Sequence, residues 1–155
     1  MWGRQSYRHG DLDFEANAKD GIAVDWPIRY KDIEKWYSYA ETFAGISGTR
    51  NGIESLPDGQ YMPPIALNCA EEMLSGKLAK SFGGKRHLIP GRAANITMPH
   101  HGRGACQSRN ACSSGCIYGA YFSTQSSTLP AAVATGNLTM KTFQIVSEIR
   151  AWSIA

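Results

Sequence analysis

Apolar residues recur at helical spacing in two stretches of the chain. Over 31–44, Ile33, Trp36, Tyr37, Ala40, Phe43 and Ala44 share one face of a 3.6-residue period, and Gly45 stands where such a helix closes. Over 69–82, Met73, Leu74, Leu78 and Phe82 form a second stripe. Asn68 can cap it, Glu71 holds the capping-box position, and Gly83-Gly84 stops it. A short helix is predicted to start near Leu129-Pro130, with proline in the first turn, Thr128 as cap and Gly136 at the end. Residues 138–149, LTMKTFQIVSEI, read as a strand rich in β-formers. Between these, punctuation dominates. Residues 1–30 are polar and turn-rich, and Asp25-Trp26-Pro27-Ile28 reads as extended, because the residue before proline avoids the helical region. The stretch 45–64 is loop, and 85–104 reads as strand then loop around Pro90-Gly91 and Pro99. The pattern predicts an α+β fold.

The 155 residues suffice for one domain with a modest core. At 43% apolar and 19% charged the chain is globular in composition. Its net charge of +3 is mild and its basic residues are scattered, which predicts neither a nucleic-acid partner nor a membrane surface. No apolar run is long enough for a membrane span. No charged-then-apolar leader opens the chain, and the compartment, periplasmic or cytoplasmic, stays open. Asn95-Ile96-Thr97 and Asn137-Leu138-Thr139 match the glycosylation sequon, which matters only in a secreted eukaryotic protein. Trp2 and Tyr7 at one end, and a strand at the other, call for neighbours, so the chain reads as a piece of a larger protein.

Three of the four cysteines fall within eleven residues, as Cys106, Cys112 and Cys116 in a C-x5-C-x3-C array. Short spacings let one loop wrap a metal, and soft sulfur selects zinc or iron–sulfur. Zinc would need a fourth ligand, for which His100 and His101 lie just upstream, but the paired C-x2-C spacing is missing. Three thiolates suit a [3Fe–4S] cluster, one for each iron. A disulfide leaves one of the three over, with Cys69 far away in a predicted helix. The remaining reading is three small, buried, reduced cysteines in a glycine-containing turn. The spacing leaves these alternatives open. No GxGxxG, Walker or GxSxG pattern occurs, and no catalytic residue is assigned.

Two blocks carry a resemblance. "WGRQSYR", "DLDFEAN" and "DGIAVDWPIRYKDIEKWYSYAETFAGISG" form the first, and "GRGACQSRNACSSGCIYGAYFSTQSSTLPAAVATGNLTM" the second. Together they resemble the glucose–methanol–choline (GMC) oxidoreductases, in particular the branch of bacterial FAD-dependent glucose, sorbitol, gluconate and fructose dehydrogenases. The resemblance implies an internal slice of a two-domain FAD/substrate fold. Residues 1–48 would be the flavin-approach segment and its helix, 49–104 a substrate-side region, and 105–149 the cysteine segment returning to the FAD domain, with the 138–149 strand near the N-terminal segment. It implies FAD as cofactor of the intact parent, with Trp2, Gly3, Arg4, Gln5 and Ser6 near the isoalloxazine. It further implies an alcohol or sugar substrate, the remainder of the parent chain as a partner, and an electron-acceptor subunit. Cys106, Cys112 and Cys116 would hold a [3Fe–4S] cluster, although Ile117 stands where proline often follows the last ligand cysteine. The family's strand–GxGxxG–helix opening and its histidine facing flavin N5 are missing, so the piece alone is expected to be inactive. The competing reading is a small iron–sulfur or zinc-binding electron-transfer module working by itself.

Overall fold

The computed structural model describes residues 4–150. Among them four α-helices form: α1 (Asp11–Lys19), α2 (Tyr30–Ala44), α3 (Cys69–Ser81) and α4 (Leu129–Ala134). α2 and α3 occupy the stretches where apolar residues recur at helical spacing. At the start of α3, Asn68 Oδ1 accepts the N–H groups of Ala70 and Glu71, both at 3.0 Å, and the Glu71 carboxylate accepts the Asn68 N–H at 2.8 Å. α2 closes on Gly45 at φ 75°. A Cβ there would lie 2.4 Å from Ile96 Cγ2, so backbone and packing both require glycine. Thr128 does not cap α4 through its side chain; a π-turn over Thr124–Thr128 leads into it instead, with Ser123 Oγ accepting the Ser126 N–H at 3.1 Å.

α1 was not foreseen. Only Phe14 is buried along it, so no apolar period announces it. It is held locally: Asp13 accepts the Gly10 N–H at 2.7 Å, Phe14 packs edge-on against Trp26, and Arg29 reaches back to Glu15.

No strand forms among the described residues. Extended segments meet instead at single bridges, and Ala93 is their crossing point. It pairs on one side with Ser47, which in turn pairs with Met62, and on the other with Gln5. Further along the same segment Asn95 pairs with Tyr121. Residues 4–6 and 120–122 therefore lie one after the other on the same edge of 92–96: Ala94 N donates to Arg4 O at 2.9 Å, and Phe122 N to Ala94 O at 2.8 Å. The strand expected over 138–149 is absent. Residues 137–150 are exposed throughout and make no backbone hydrogen bond to another described segment, and β-forming composition alone cannot hold a strand without a partner. Of the N-terminal segment, the described residues 4–6 pair with 92–94.

The apolar core is thin: Phe14, Ile46, Ala93, Ala94, Ile96 and Ala120. Charged groups fill much of the remaining interior. α2 does not bury its whole apolar stripe. Trp36 is 60% exposed, whereas Glu41 is buried, because Arg8 meets it there. Arg8 Nε donates to Glu41 Oε1 at 2.8 Å and Nη2 to Oε2 at 2.6 Å, while Tyr30 and Ser38 accept the other Arg8 N–H groups. Glu41 also accepts the Gln60 N–H, and a Cβ on Gly59 would sit 2.2 Å from Glu41 Oε2. Donation to the Glu41 carboxylate holds the Arg8 guanidinium above its ordinary pKa despite burial. Arg92, with no exposed surface, similarly gathers the loop 49–58: it donates to Pro57 O at 2.7 Å and Asp58 Oδ1 at 2.5 Å, and its guanidinium lies over the Tyr61 ring.

Replacing Glu41 with Gln leaves Arg8 as an uncompensated buried cation, and the loss expected in urea unfolding is about 3–5 kcal/mol. Asp58 sets a pH dependence. Partial burial pushes its carboxyl up, but the N–H groups of Gly52 and Asn51 and the Arg92 guanidinium outweigh this and hold it below the usual carboxylate range. Its contribution to stability is therefore complete above about pH 4 and is lost as pH falls through the lower folded value. Asp58→Asn should flatten the acid limb of an unfolding-versus-pH curve, and an unchanged limb would exclude this role.

Candidate functional site

The residues singled out in the sequence come from two directions. Trp2 and Gly3 lie outside the described residues. Arg4 has φ 58° and lays its guanidinium over the Tyr121 ring, 4.1 Å from the centroid. Gln5 bridges to Ala93, and its amide lies where a side chain on Gly91 would be, 2.9 Å from an added Cβ. Ser6 N donates to Arg92 O at 2.8 Å, and Ser6 Oγ to Arg4 O at 3.2 Å. Ser6 and Tyr7 form one wall of a groove of about 430 Å³, whose other surfaces are largely apolar and include Tyr37, Phe43, Ile46 and Phe122.

The cysteine segment is tied to the same framework. Cys106 N donates to Ile96 O at 2.9 Å, Gly104 N to Tyr118 O at 2.8 Å, and Gly119 N to Cys116 O at 2.9 Å. A short 3₁₀ turn over Cys112–Ser114 and a left-handed Gly119 at φ 61° fold the loop back on itself. Cys106, Cys112 and Cys116 are free thiols, half-buried, and all three line one small cavity of about 60 Å³. Cys69 is exposed in the first turn of α3 and does not line that cavity. Desolvation pushes the Cys116 thiol up, but backbone N–H groups from Ala120, Tyr118, Tyr121 and Gly119 outweigh it and lower its pKa below the ordinary thiol value. Among the described residues no three His, Cys, Asp or Glu side chains gather in a way that could hold a metal ion.

The two histidines do another job. His100 Nε2 lies 2.8 Å from Thr42 O and 3.3 Å from Phe43 O, so it carries the proton and donates to the last carbonyls of α2. His101 sits against His100 and Phe43, at φ 47°. Neither lines the cysteine cavity. Arg103 completes this C-terminal cap: Nη2 donates to Ala44 O at 2.6 Å, and a paired turn holds His100 and Arg103 together through reciprocal backbone bonds. Arg103 is 5% exposed, and burial lowers its pKa from the ordinary value. It also lines a second cavity, of about 520 Å³, shared with Cys116. Sequence reasoning passed over Arg103. An arginine between two glycines in "HGRG" carries no local sign that it will be buried.

No protein-family model matches the chain. Two dehydrogenases are similar to it in sequence. The fructose dehydrogenase large subunit of Gluconobacter japonicus is 25% identical over 125 residues, 78% of this chain and 22% of that protein. The 2-methyl-1,2-propanediol dehydrogenase of Mycolicibacterium austroafricanum is 29% identical over 105 residues, 63% of this chain and 18% of that protein. The chain thus spans about a fifth of the length of each relative, and its distant similarity is to dehydrogenases. Among the described residues no helix is long and apolar enough to cross a membrane.

The lowered Cys116 thiol should be alkylated ahead of Cys106 and Cys112 by iodoacetamide at pH 7, read by peptide mass mapping of briefly treated protein. If Cys116 is modified last, its thiolate is not stabilised as described.

Proposed function

We propose that the chain is a segment of a GMC-type, FAD-dependent oxidoreductase that oxidises CH–OH groups of a sugar or other alcohol. The observation that carries the reading is the meeting of residues 4–6 and 120–122 on one edge of 92–96, sealed by Arg4 on Tyr121. This brings the stretch that resembles a flavin-approach segment beside the stretch bearing the cysteines, as an electron path from a flavin to a neighbouring cluster requires. The similarity to two dehydrogenases points the same way.

FAD, when bound to the intact parent, supplies the acceptor for the hydride that leaves the carbinol carbon. Ser6 and Gln5 would offer hydrogen bonds to the ring edge, and the apolar groove beside Ser6 and Tyr7 would exclude water from it. These are ring contacts only. The described residues include no glycine-rich turn leading into a helix N-terminus of the kind that holds a pyrophosphate, so the phosphates would fall to the remainder of the parent. An iron–sulfur cluster would take Cys106, Cys112 and Cys116 as its ligands; they line one cavity and the amides around Cys116 favour its thiolate, but their sulfurs would have to draw closer together than the described structure places them. Acceptance of electrons by a separate subunit belongs to the same proposal, the first relative being named as a large subunit.

Two measurements test the reading. The isolated chain mixed with FAD and passed through a desalting column should retain no stoichiometric flavin absorbance; a stable complex would contradict its reading as a slice lacking the phosphate cradle. Chain expressed with ample iron under anaerobic conditions should carry iron and sulfide near three and four per molecule, the composition of a [3Fe–4S] cluster, and Cys112→Ser should remove most of both. Unchanged iron content in Cys112→Ser rejects the ligand role.

A further inference from the structure

The net charge of +3 conceals a division along the chain. Residues 1–72 carry twelve carboxylates against seven lysines and arginines, whereas residues 73–147 carry eight lysines and arginines and no aspartate or glutamate. Arg92 and Arg103 of the second stretch are buried. Lys77, Lys80, Lys85 and Arg86 are exposed and fall within ten residues around the end of α3. Among the described residues none of these four forms an ion pair.

α3 sets them on an open face. Its inner side is tied down, with Ser75 Oγ donating to Leu88 O at 3.1 Å and Leu78 half-buried. At 3.6 residues per turn, Lys80, Met73, Lys77 and Leu74 share an arc of about 120° that lies away from Ser75, and Glu71 and Glu72 fall outside it. All four residues of the arc are exposed, Met73 at 59% and Leu74 at 49%. Past the helix, Gly83 and Gly84 take left-handed φ values of 55° and 76° and turn the chain, and Lys85 N donates to Phe82 O at 3.0 Å. Arg86 lays its guanidinium over the Phe82 ring, 4.4 Å from the centroid. Cations on long stems beside exposed apolar side chains suit an interface where charged heads meet phosphates and the apolar groups enter the acyl boundary.

We propose that the outer face of α3 and the turn at 83–86 dock on an anionic phospholipid surface. Charge complementarity carries the choice of partner: four unpaired cations, in a stretch without one carboxylate, call for many negative charges spread over an area. Shape narrows it further. A peptide needs a groove or a free strand edge, and α3 lines none of the cavities described above. A soluble polyanion would gain nothing from Met73 and Leu74. The contact is with the surface, since among the described residues no helix can cross a membrane. The inference goes beyond the oxidoreductase reading and does not depend on it.

The test is co-sedimentation of the chain with vesicles of phosphatidylcholine alone or mixed equally with phosphatidylglycerol. The mixed vesicles should take the chain down and the neutral ones should not, and raising the salt from about 0.1 M to about 1 M should release it. Each cation contributes about fivefold at such a surface, so the double variant Lys77→Gln, Lys80→Gln should bind about twenty-five-fold more weakly. Glutamine keeps the helix, which circular dichroism checks. Lys31→Gln with Lys35→Gln removes the same charge from α2 and should leave binding unchanged. Poly-L-glutamate and duplex DNA should compete poorly. Equal binding to neutral vesicles overturns the proposal, as does an equal loss in the α2 variant, which would make the effect one of net charge. Full binding by the α3 variant overturns it too. So does tighter binding to either soluble polyanion, which would assign the patch to an acidic protein or a nucleic acid.

Discussion

The ion pair of Arg8 and Glu41, closed away from water, joins the first described segment to the longest helix, and much of the structure is arranged around it. A paired charge is tolerated inside a protein only when its remaining hydrogen-bonding capacity is met. Here Tyr30 and Ser38 take the other guanidinium N–H groups, and the Gln60 N–H goes to the carboxylate. Meeting those demands draws the start of α2, its middle, and the loop at 59–60 to one point. Gly59 is part of the same constraint, since any side chain there would occupy the place of the Glu41 carboxylate. With so few apolar residues buried, charged contacts of this kind do the positioning that a larger hydrophobic core would otherwise do.

The second organising feature is the extended segment 92–96. Arg92 anchors its beginning to the loop 49–58, Ala93 and Ala94 pair with three other segments, and Ile96 packs under the Gly45 cap of α2. The groove beside Ser6, the cysteine cavity and the Arg103 cavity all open from segments attached to it. This gives the candidate site a definite geometry although no ladder of strands supports it.

The histidines and Arg103 show how one short turn serves both structure and chemistry. His100 and Arg103 supply donors to the carbonyls of Thr42, Phe43 and Ala44, which a helix C-terminus leaves without partners. In doing so they hold the guanidinium of Arg103 in the interior, with two of its nitrogens unmet and closed off from solvent. Cys116 lines a cavity that Arg103 also lines, and the cysteine cavity as well, so the thiol and guanidinium chemistry of the chain meet within one loop.

What the sequence determined by itself was local. The ends of α2 and α3 were legible, because a cap acts over three or four residues and glycine closes a helix wherever it stands: Asn68 with Glu71, and Gly45, needed no tertiary contact to be read. The cysteine array was legible as a cluster of soft ligands because its spacing lies within a single loop. The rest depended on partners distant in the chain. α1 carries almost no apolar period, and it forms where Phe14 finds Trp26. The inward face of α2 shifted toward Glu41 because Arg8, 33 residues earlier, supplies the opposite charge. The stretch 138–149 has the composition of a strand, but hydrogen bonds between strands need a second strand, and none lies beside it among the described residues. The burial of Arg103 was decided by the carbonyl left over at the end of α2, a group that no spacing in "HHGRG" reveals.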